Sequence, residues 1–449
     1  MSHDEAQAAG EIERWAEISM SERFVAEHGE DWRYSPERGM WLRWTGTVWA
    51  WDRKRAIFSV LKNLVRRVAL ESIDDAKRAA ALCSAQHVWA VERLAQIDRR
   101  MAILLSDLDK DPWVLNTPGG VVDLQSGTIR PNSPDDLCSK ITGVAPSEPA
   151  ERSELWSRFL NVATQGDQDL EQFLQRMAGY ATTGVTEEHA LFFIYGDGGN
   201  GKGVFQRAIS RALGDYATSA PIETFTEARN DRHPTELADL VGARLVTASE
   251  TEEGRAWAEA RIKKVTGGDP IKARFMNKDF FEYTPQFKPI FDGNHLPNLR
   301  NVGAAERRRF HVVPFTAVIP ADRKDPELDE KLKAELGHVL RWMIDGCAEW
   351  QGRGLNPPRR VVESTDEYFE DQDLLSTWLS ETFDLRPESY ELSASVFQRW
   401  KDYAEANNVR PGAQLALTKK LSKRPGIRSG QDPSRKHRVV WGLSFRRGD

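Results

Sequence analysis

The stretch Leu191–Gln206, LFFIYGDGGNGKGVFQ, constrains this chain more than any other. Five consecutive apolar and aromatic residues, Leu191, Phe192, Phe193, Ile194 and Tyr195, predict a buried strand. A helix-forming segment follows, and a glycine-rich loop lies between them. That order is the geometry that holds a nucleoside triphosphate, because glycines let consecutive backbone N–H groups turn inward around phosphate oxygens. The candidate ATP-binding residues are Gly196, Gly198, Gly199, Asn200, Gly201, Lys202, Gly203 and Val204. Lys202 is placed to reach the β- and γ-phosphates. The next position ordinarily carries a Ser or Thr whose hydroxyl helps hold Mg²⁺. Here it is Gly203, so that ligand must come from elsewhere or from water.

Two further apolar runs end in polar residues. Ala243–Ala248 runs into Ser249-Glu250-Thr251-Glu252-Glu253. An acidic residue at the end of a neighbouring strand is where such an enzyme places a Mg²⁺ ligand or water-activating base. Glu250 is the first candidate and Glu252 the second, with Ser249 available to complete the magnesium shell. Glu253 is read as a favourable helix start. Phe287–Phe291 ends in Asp292-Gly293-Asn294-His295-Leu296-Pro297, where the Asn294 amide can sense a γ-phosphate and orient water. Arg307, Arg308 and Arg309 follow. Consecutive arginines are usually a solvated basic face, but in a ring ATPase one of them reaches the neighbouring subunit's nucleotide as a finger. Between the second and third strands, Lys263–Thr284 reads as a hairpin tipped by Asn277-Lys278-Asp279. Lys278, with Lys272, Arg274 and nearby aromatics, suits contact with single-stranded DNA.

At 449 residues the chain has room for about three domains. A mixed α+β part spans 1–150, with hairpins at Met40–Trp51 and Gly120–Ile129 and a helical pattern from Arg53 to Asp109. The α/β ATPase part spans 151–355, where alternating apolar runs and helical segments predict a parallel sheet. From 360 to 449, three short helical segments precede a basic hairpin, the pattern of a winged helix. Asp107-Leu108-Asp109 has the spacing of a polymerase carboxylate pair but sits at a helix end, and reads as a solvated terminus. The net charge of −6 excludes neither nucleic acid nor anions. Between Lys419 and Asp449, however, ten cationic residues face two acidic ones, which favours DNA phosphates. Three dispersed cysteines argue against a disulfide framework. With no signal sequence and no bilayer-length apolar run, the expected location is the cytoplasm, with no membrane partner.

The segments GDGGNGKGVF, ARLVTASETEEG, IKKVTGGDPIKAR, FKPIFDGNHLP and ERRRFHVVPF, in that order, resemble the helicase part of the phage/plasmid primase-helicase family. This superfamily-three group is shared with poxvirus nucleoside triphosphatases. The resemblance extends upstream through DPWVLNTPGGVVDL and LQRMAGYATTG, and downstream through KLKAELGHVLRWMIDG. It implies an AAA+-like core, a ring that is usually hexameric, ATP and Mg²⁺ as cofactors, and movement on single-stranded or forked DNA. It also implies phage or mobile-element replication in a bacterial cytoplasm, with a separate primase or replisome protein as a further partner. By position, Lys202 binds phosphate and Glu250 serves magnesium and water. Asn294 is the sensor, Arg307 or Arg308 the finger, and Lys278 the DNA contact. No primase domain fits upstream. Two rivals remain: an ATP-switched DNA-binding assembly for origin recognition or defence, and a small-molecule P-loop kinase. The arginines, the lysine-tipped hairpin and the basic tail argue against the kinase.

Overall fold

The protein is described by a computed structural model covering residues 16–72, 76–227, 235–250, 255–299, 303–320, 324–372, 374–407, 411–422, 424, 426–434 and 436–446. The chain divides into two compact units, Met1–Asp366 and Glu367–Asp449.

The first unit begins with a three-stranded antiparallel meander, β1 (Trp32–Ser35), β2 (Met40–Trp44) and β3 (Trp49–Trp51). β2 and β3 are the hairpin expected from the alternating sequence, and β1 adds an edge the pattern did not announce. Helices Glu17–His28, Ile57–Ser72 and Ala85–Gln96 enclose the buried Phe24, Trp32, Trp41, Leu61, Val65 and Val91. Asp52 fixes the start of the second helix by accepting from the backbone N–H groups of Ala56 and Ile57 at 2.8 and 2.9 Å.

The helical reading up to Asp109 is corrected here. The last of these helices ends at Gln96, and the chain continues through irregular backbone and one short 3-10 turn, Leu105–Asp107. Asp109 is likewise buried rather than solvated. Its carboxylate accepts from the backbone N–H groups of Ser139 (2.9 Å) and Lys140 (3.2 Å) and from the Ser139 hydroxyl. It organises a loop, and burial raises its pKa against those hydrogen bonds. A second small antiparallel sheet follows: β4 (Val114–Thr117), β5 (Gly120–Asp123) and β6 (Ile129–Arg130).

Five parallel strands form the centre of the unit: β7 (Leu191–Tyr195), β8 (Ala217–Ser219), β9 (Leu245–Glu250), β12 (Lys288–Gly293) and β13 (Phe310–Pro314). Between β9 and β12 the chain makes a separate hairpin, β10 (Ile271–Ala273) with β11 (Phe281–Tyr283). The spatial order is β13-β7-β12-β9-β8. β7 is thus interior, with all but its last residue buried, as its uninterrupted apolar run requires. Helices Gln168–Tyr180, Lys202–Leu213 and Leu336–Arg353 contribute Phe173, Met177, Phe205, Ile209, Val339 and Met343 to the same core. This is a mixed α/β architecture with a P-loop-like parallel core. Among the described residues, no helix is long and apolar enough to cross a membrane.

One partly buried ring is expected to make the first unit sensitive to acid. The His311 ring on β13 stacks on Phe192 at 5.2 Å and lies 6.2 Å from Phe173. Desolvation lowers its pKa from 6.5 to about 4. The unfolded chain therefore binds a proton between pH 6.5 and 4 that the folded chain does not. The contribution of His311 is constant above pH 6.5 and falls away as the pH drops towards 4, by roughly 2–3 kcal/mol. His311→Phe should shrink the stability difference between pH 7 and pH 4.5 in denaturant titrations. An unchanged difference would show that the imidazole protonates in place.

The second unit places helices Leu374–Thr382, Ser393–Ala406 and Gln414–Leu421 against strands β14 (Phe383–Leu392), β15 (Arg428–Gln431) and β16 (Arg438–Phe445). The sheet is antiparallel in the order β14-β16-β15, over a core that includes Trp378, Val396, Trp400, Leu417 and Leu443.

Candidate functional site

The parallel pairing sets which residues share a level at the carboxyl edge of the sheet. Gly293 pairs with both Tyr195 and Glu250, Asp292 pairs with Ile194 and Ser249, and Pro314 pairs with Tyr195. The loop after β7, the end of β9 and Asn294 beyond β12 therefore emerge side by side. In open parallel sheets, this crevice is where ligands bind.

The loop is shaped for close approach. Gly201 caps the helix Lys202–Leu213 with φ of 93°, a conformation costly for any residue with a Cβ. The Asn200 amide reaches back to the Phe315 carbonyl beyond β13, tying the loop to the opposite neighbour of β7. Lys202 is 6 % exposed, and its ammonium turns into the loop. It donates to the Gly196 carbonyl, to the Asp197 carbonyl at 2.9 Å and to Asn294 Oδ1 at 3.2 Å. Burial lowers its pKa, while Asp292 and Asp197 pull the other way and favour the charged form. Lys202 and Asn294, expected to act together, are in hydrogen-bond contact.

Glu250 closes β9, with its backbone level with Gly293. Glu252 lies outside the described residues, as does Glu253. Ser249 donates from Oγ to Asp292 Oδ1 at 2.6 Å. Asp292 is the functional candidate that the sequence reading missed. The signal was available: it is an acidic residue at the end of an apolar strand, the same criterion that selected Glu250. Among the described residues, no group of three His, Cys, Asp or Glu side chains is arranged to hold a metal ion.

The three arginines before β13 separate cleanly. Arg307 ends the helix Ala304–Arg307 and pairs with Asp366, Nη1 to Oδ1, at 2.6 Å. Arg309 is buried and donates to Thr266 Oγ1 at 3.3 Å. Arg308 is exposed, and its guanidinium has no ion-pair partner among the described residues. Sequence alone could not rank Arg307 against Arg308, because both follow the same short loop.

The hairpin β10–β11 carries Asn277 at its turn with φ of 56°, as the Asn277-Lys278-Asp279 tip requires. Lys272 faces Glu282 across the hairpin, with Nζ 3.6 Å from Oε1, and the Arg274 guanidinium lies 4.9 Å over Phe280. The hairpin does not stand free. The Lys278 ammonium fills the space beside Gly39. The Arg38 guanidinium lies over both Trp51 (4.4 Å) and Phe275 (5.1 Å). Ala273 and Phe281 join Leu42, Trp49 and Ile103 in one apolar cluster. A freely projecting tip was expected, but the hairpin base belongs to the N-terminal core.

Residues 21–165 match the family described as "D5 N terminal like", and residues 194–309 match a family of unknown function. The chain is 25 % identical over 323 residues to "Putative helicase L207/L206" of Acanthamoeba polyphaga mimivirus, covering 67 % of this chain and 33 % of that protein. These matches support a place among the superfamily-three helicase-primase proteins of phages and viruses. A second relative, "Putative helicase 022R" of Frog virus 3 (isolate Goorha), is 27 % identical over 264 residues, covering 54 % of this chain and 27 % of the relative. The chain thus spans a third or less of the length of these curated relatives. Among solved structures, the apo C-terminal region of NrS-1 aligns with a TM-score of 0.40 at 11 % identity, over 67 % of this chain and 77 % of that one.

Proposed function

We propose that this chain is an ATP-driven DNA helicase or translocase that works as a ring, with the nucleotide at the β7 loop and the neighbouring subunit completing the site. The single observation that carries this reading is the meeting of Lys202 and Asn294 at 3.2 Å, at the carboxyl edge of the parallel sheet. A buried ammonium held by two loop carbonyls and an amide oxygen fits a phosphate, which would exchange those neutral acceptors for charged ones. ATP with Mg²⁺, when bound, supplies the phosphoanhydride and the charge-neutralising cation. Gly196–Val204 would cradle the phosphates, with Lys202 contacting their terminal oxygens. Ser249, Glu250 and Asp292 would hold the metal and its waters, standing in for the hydroxyl absent at Gly203, with Glu252 as a further acidic candidate. Asn294 would orient water. Of Arg307 and Arg308, Arg308 is exposed with no ion-pair partner among the described residues and is the better finger. Lys278, with Lys272 and Arg274, would meet DNA.

The strand order supports an AAA+-like core. In the second unit, the succession helix, strand, two helices and two strands supports a winged helix whose basic hairpin contacts duplex phosphates. We retain 1–150, 151–355 and 360–449 as the functional divisions, with a homohexamer as the working assembly and a separate primase as a further partner.

Strand displacement on a forked DNA substrate tests the reading. ATP-dependent release of the displaced strand is the expected result. ATP-dependent DNA binding without displacement would instead favour an ATP-switched DNA-binding assembly. Mixing experiments test the finger: Arg308→Ala and Glu250→Ala proteins, each inactive alone, should regain partial ATPase activity when mixed. If Arg307→Ala is rescued and Arg308→Ala is not, the assignment is reversed.

A further inference from the structure

We propose that two more cations, Lys324 and Arg207, belong to the phosphate site, which their tips reach beside Gly199 and Gly203. The inference rests on the nucleotide reading of the β7 loop and extends it to residues outside that loop. A Cβ at Gly199 would stand 2.8 Å from Lys324 Nζ, and one at Gly203 would stand 2.9 Å from Arg207 Nη1. Each glycine thus has the tip of a cationic side chain beside it, and Gly199 also has φ of 81°, which itself favours glycine.

The two cations reach the loop from different places and are fixed in different ways. Lys324 lies in the segment after β13, just ahead of the helix Leu328–Ala334. It is exposed, and its ammonium has no hydrogen-bond or ion-pair partner among the described residues. Its sequence neighbour Asp325 does not neutralise it. That carboxylate accepts from the Glu327 backbone N–H at 2.9 Å and from Lys331 Nζ at 2.8 Å. Arg207 lies one turn along the helix from Gly203. Its Nε is 3.2 Å from Asp329 Oδ1, and the other oxygen of Asp329 holds Arg211 at 2.9 Å. Asp329 thus acts as a positioning residue, and the guanidinium is left with Nη1 beside Gly203. The segment 324–329 thereby serves the loop twice, once through Lys324 and once through the carboxylate that aims Arg207.

The chemistry gives this arrangement a purpose. A loop with a serine or threonine after its lysine recruits a metal cation through that hydroxyl. This loop has no such hydroxyl, and instead has a fixed guanidinium at that position. With Lys202, three cations surround a loop built for a polyanion, and a triphosphate carries enough charge to engage all three. The ligand class is a polyphosphate.

The test is equilibrium binding of ATP and of inorganic tripolyphosphate to the full chain, at low ionic strength and fixed magnesium. Lys324→Ala and Arg207→Gln should each weaken both ligands about tenfold, the effect of losing one charge-assisted contact. Gly203→Ala should also weaken both, by about threefold, although alanine favours the helix, because its methyl group displaces the guanidinium without removing a charge. Lys324 is exposed, so an unchanged melting temperature is expected to accompany its effect. Parent-like tripolyphosphate binding by the Lys324→Ala, Arg207→Gln double variant would overturn the inference while leaving the loop's role intact. If the parent itself binds neither ligand, or if Lys202→Ala binds both as the parent does, the nucleotide reading fails and this inference fails with it.

Discussion

Lys202→Ala should eliminate ATP hydrolysis while leaving the chain folded. The expected loss is at least about a hundredfold in turnover, the effect of removing one fixed donor from a developing negative charge. The geometry explains why no neighbour can compensate. The ammonium is buried and is the donor that links the loop carbonyls of Gly196 and Asp197 to Asn294 just beyond the adjacent strand. Two carboxylates, Asp197 and Asp292, are close enough to act on its titration. Without the lysine these carboxylates would repel the phosphates with no ammonium beside them, so nucleotide affinity should fall together with turnover. Asn294→Ala makes the necessary contrast. It leaves the cation in place, so it should lower turnover more than affinity. Steady-state ATPase assays with and without single-stranded DNA, together with nucleotide titrations, separate the two effects. DNA-stimulated hydrolysis by Lys202→Ala at the parental rate would remove the catalytic assignment of this loop.

The parts of this site that could be read in the sequence were those whose chemistry is local. A buried strand, a glycine-rich turn and a helix start lie within Leu191–Gln206, and each has its own signature. Ser249, Glu250 and Asn294 were legible because each follows an apolar run, and a strand in a parallel sheet delivers its C-terminal residue to the ligand edge. What could not be read depended on packing across long sequence separations. Nothing in the run of three arginines says that Asp366 pairs with the first and Thr266 engages the third, leaving the second exposed. Nothing in Ile271–Thr284 says that its base packs on Trp49 and Leu42 more than two hundred positions earlier. Asp109 was misread for the same reason. Its spacing in sequence suggested a solvated helix end, whereas its partners Ser139 and Lys140 lie thirty residues downstream. Asp292 was overlooked because the adjacent Gly293-Asn294 reads as a turn, although β12 runs on through Gly293.

Arg244→Met should destabilise the first unit by about 2–5 kcal/mol, the cost of leaving buried carbonyls short of a donor. Arg244 immediately precedes β9 and is 1 % exposed. Its guanidinium donates to three backbone carbonyls from distant segments: Thr182 at 2.7 Å, Val114 at 2.7 Å and Asp111 at 3.2 Å. It also lies 4.6 Å over the ring of the fully buried Tyr216. Its backbone accepts from Lys288 N and donates to Tyr216 O, both at 2.8 Å, which aligns the first residues of β9 with the strands on either side. One side chain therefore joins the start of the small β4–β6 sheet and the segment after the helix Gln168–Tyr180 to the base of the parallel sheet. Methionine fills much of the volume but takes this donor from the Thr182 and Val114 carbonyls, at about 1–3 kcal/mol each before relaxation, while Asp111 O keeps the Val114 N–H at 3.4 Å. Arg244→Lys should recover only part of the loss, because a single ammonium cannot span carbonyls arranged around a planar fork. Hydrogen exchange provides the local readout, with protection in 111–124 and in the first residues of β9 falling before that in β7. Arg359, exposed and paired with Glu363 one helical turn away, is the matched control, and its substitution by methionine should leave the melting temperature unchanged. A melting temperature for Arg244→Met equal to that of the parent would mean that the Thr182 and Val114 carbonyls find other donors, and that the junction is held by its apolar contacts alone.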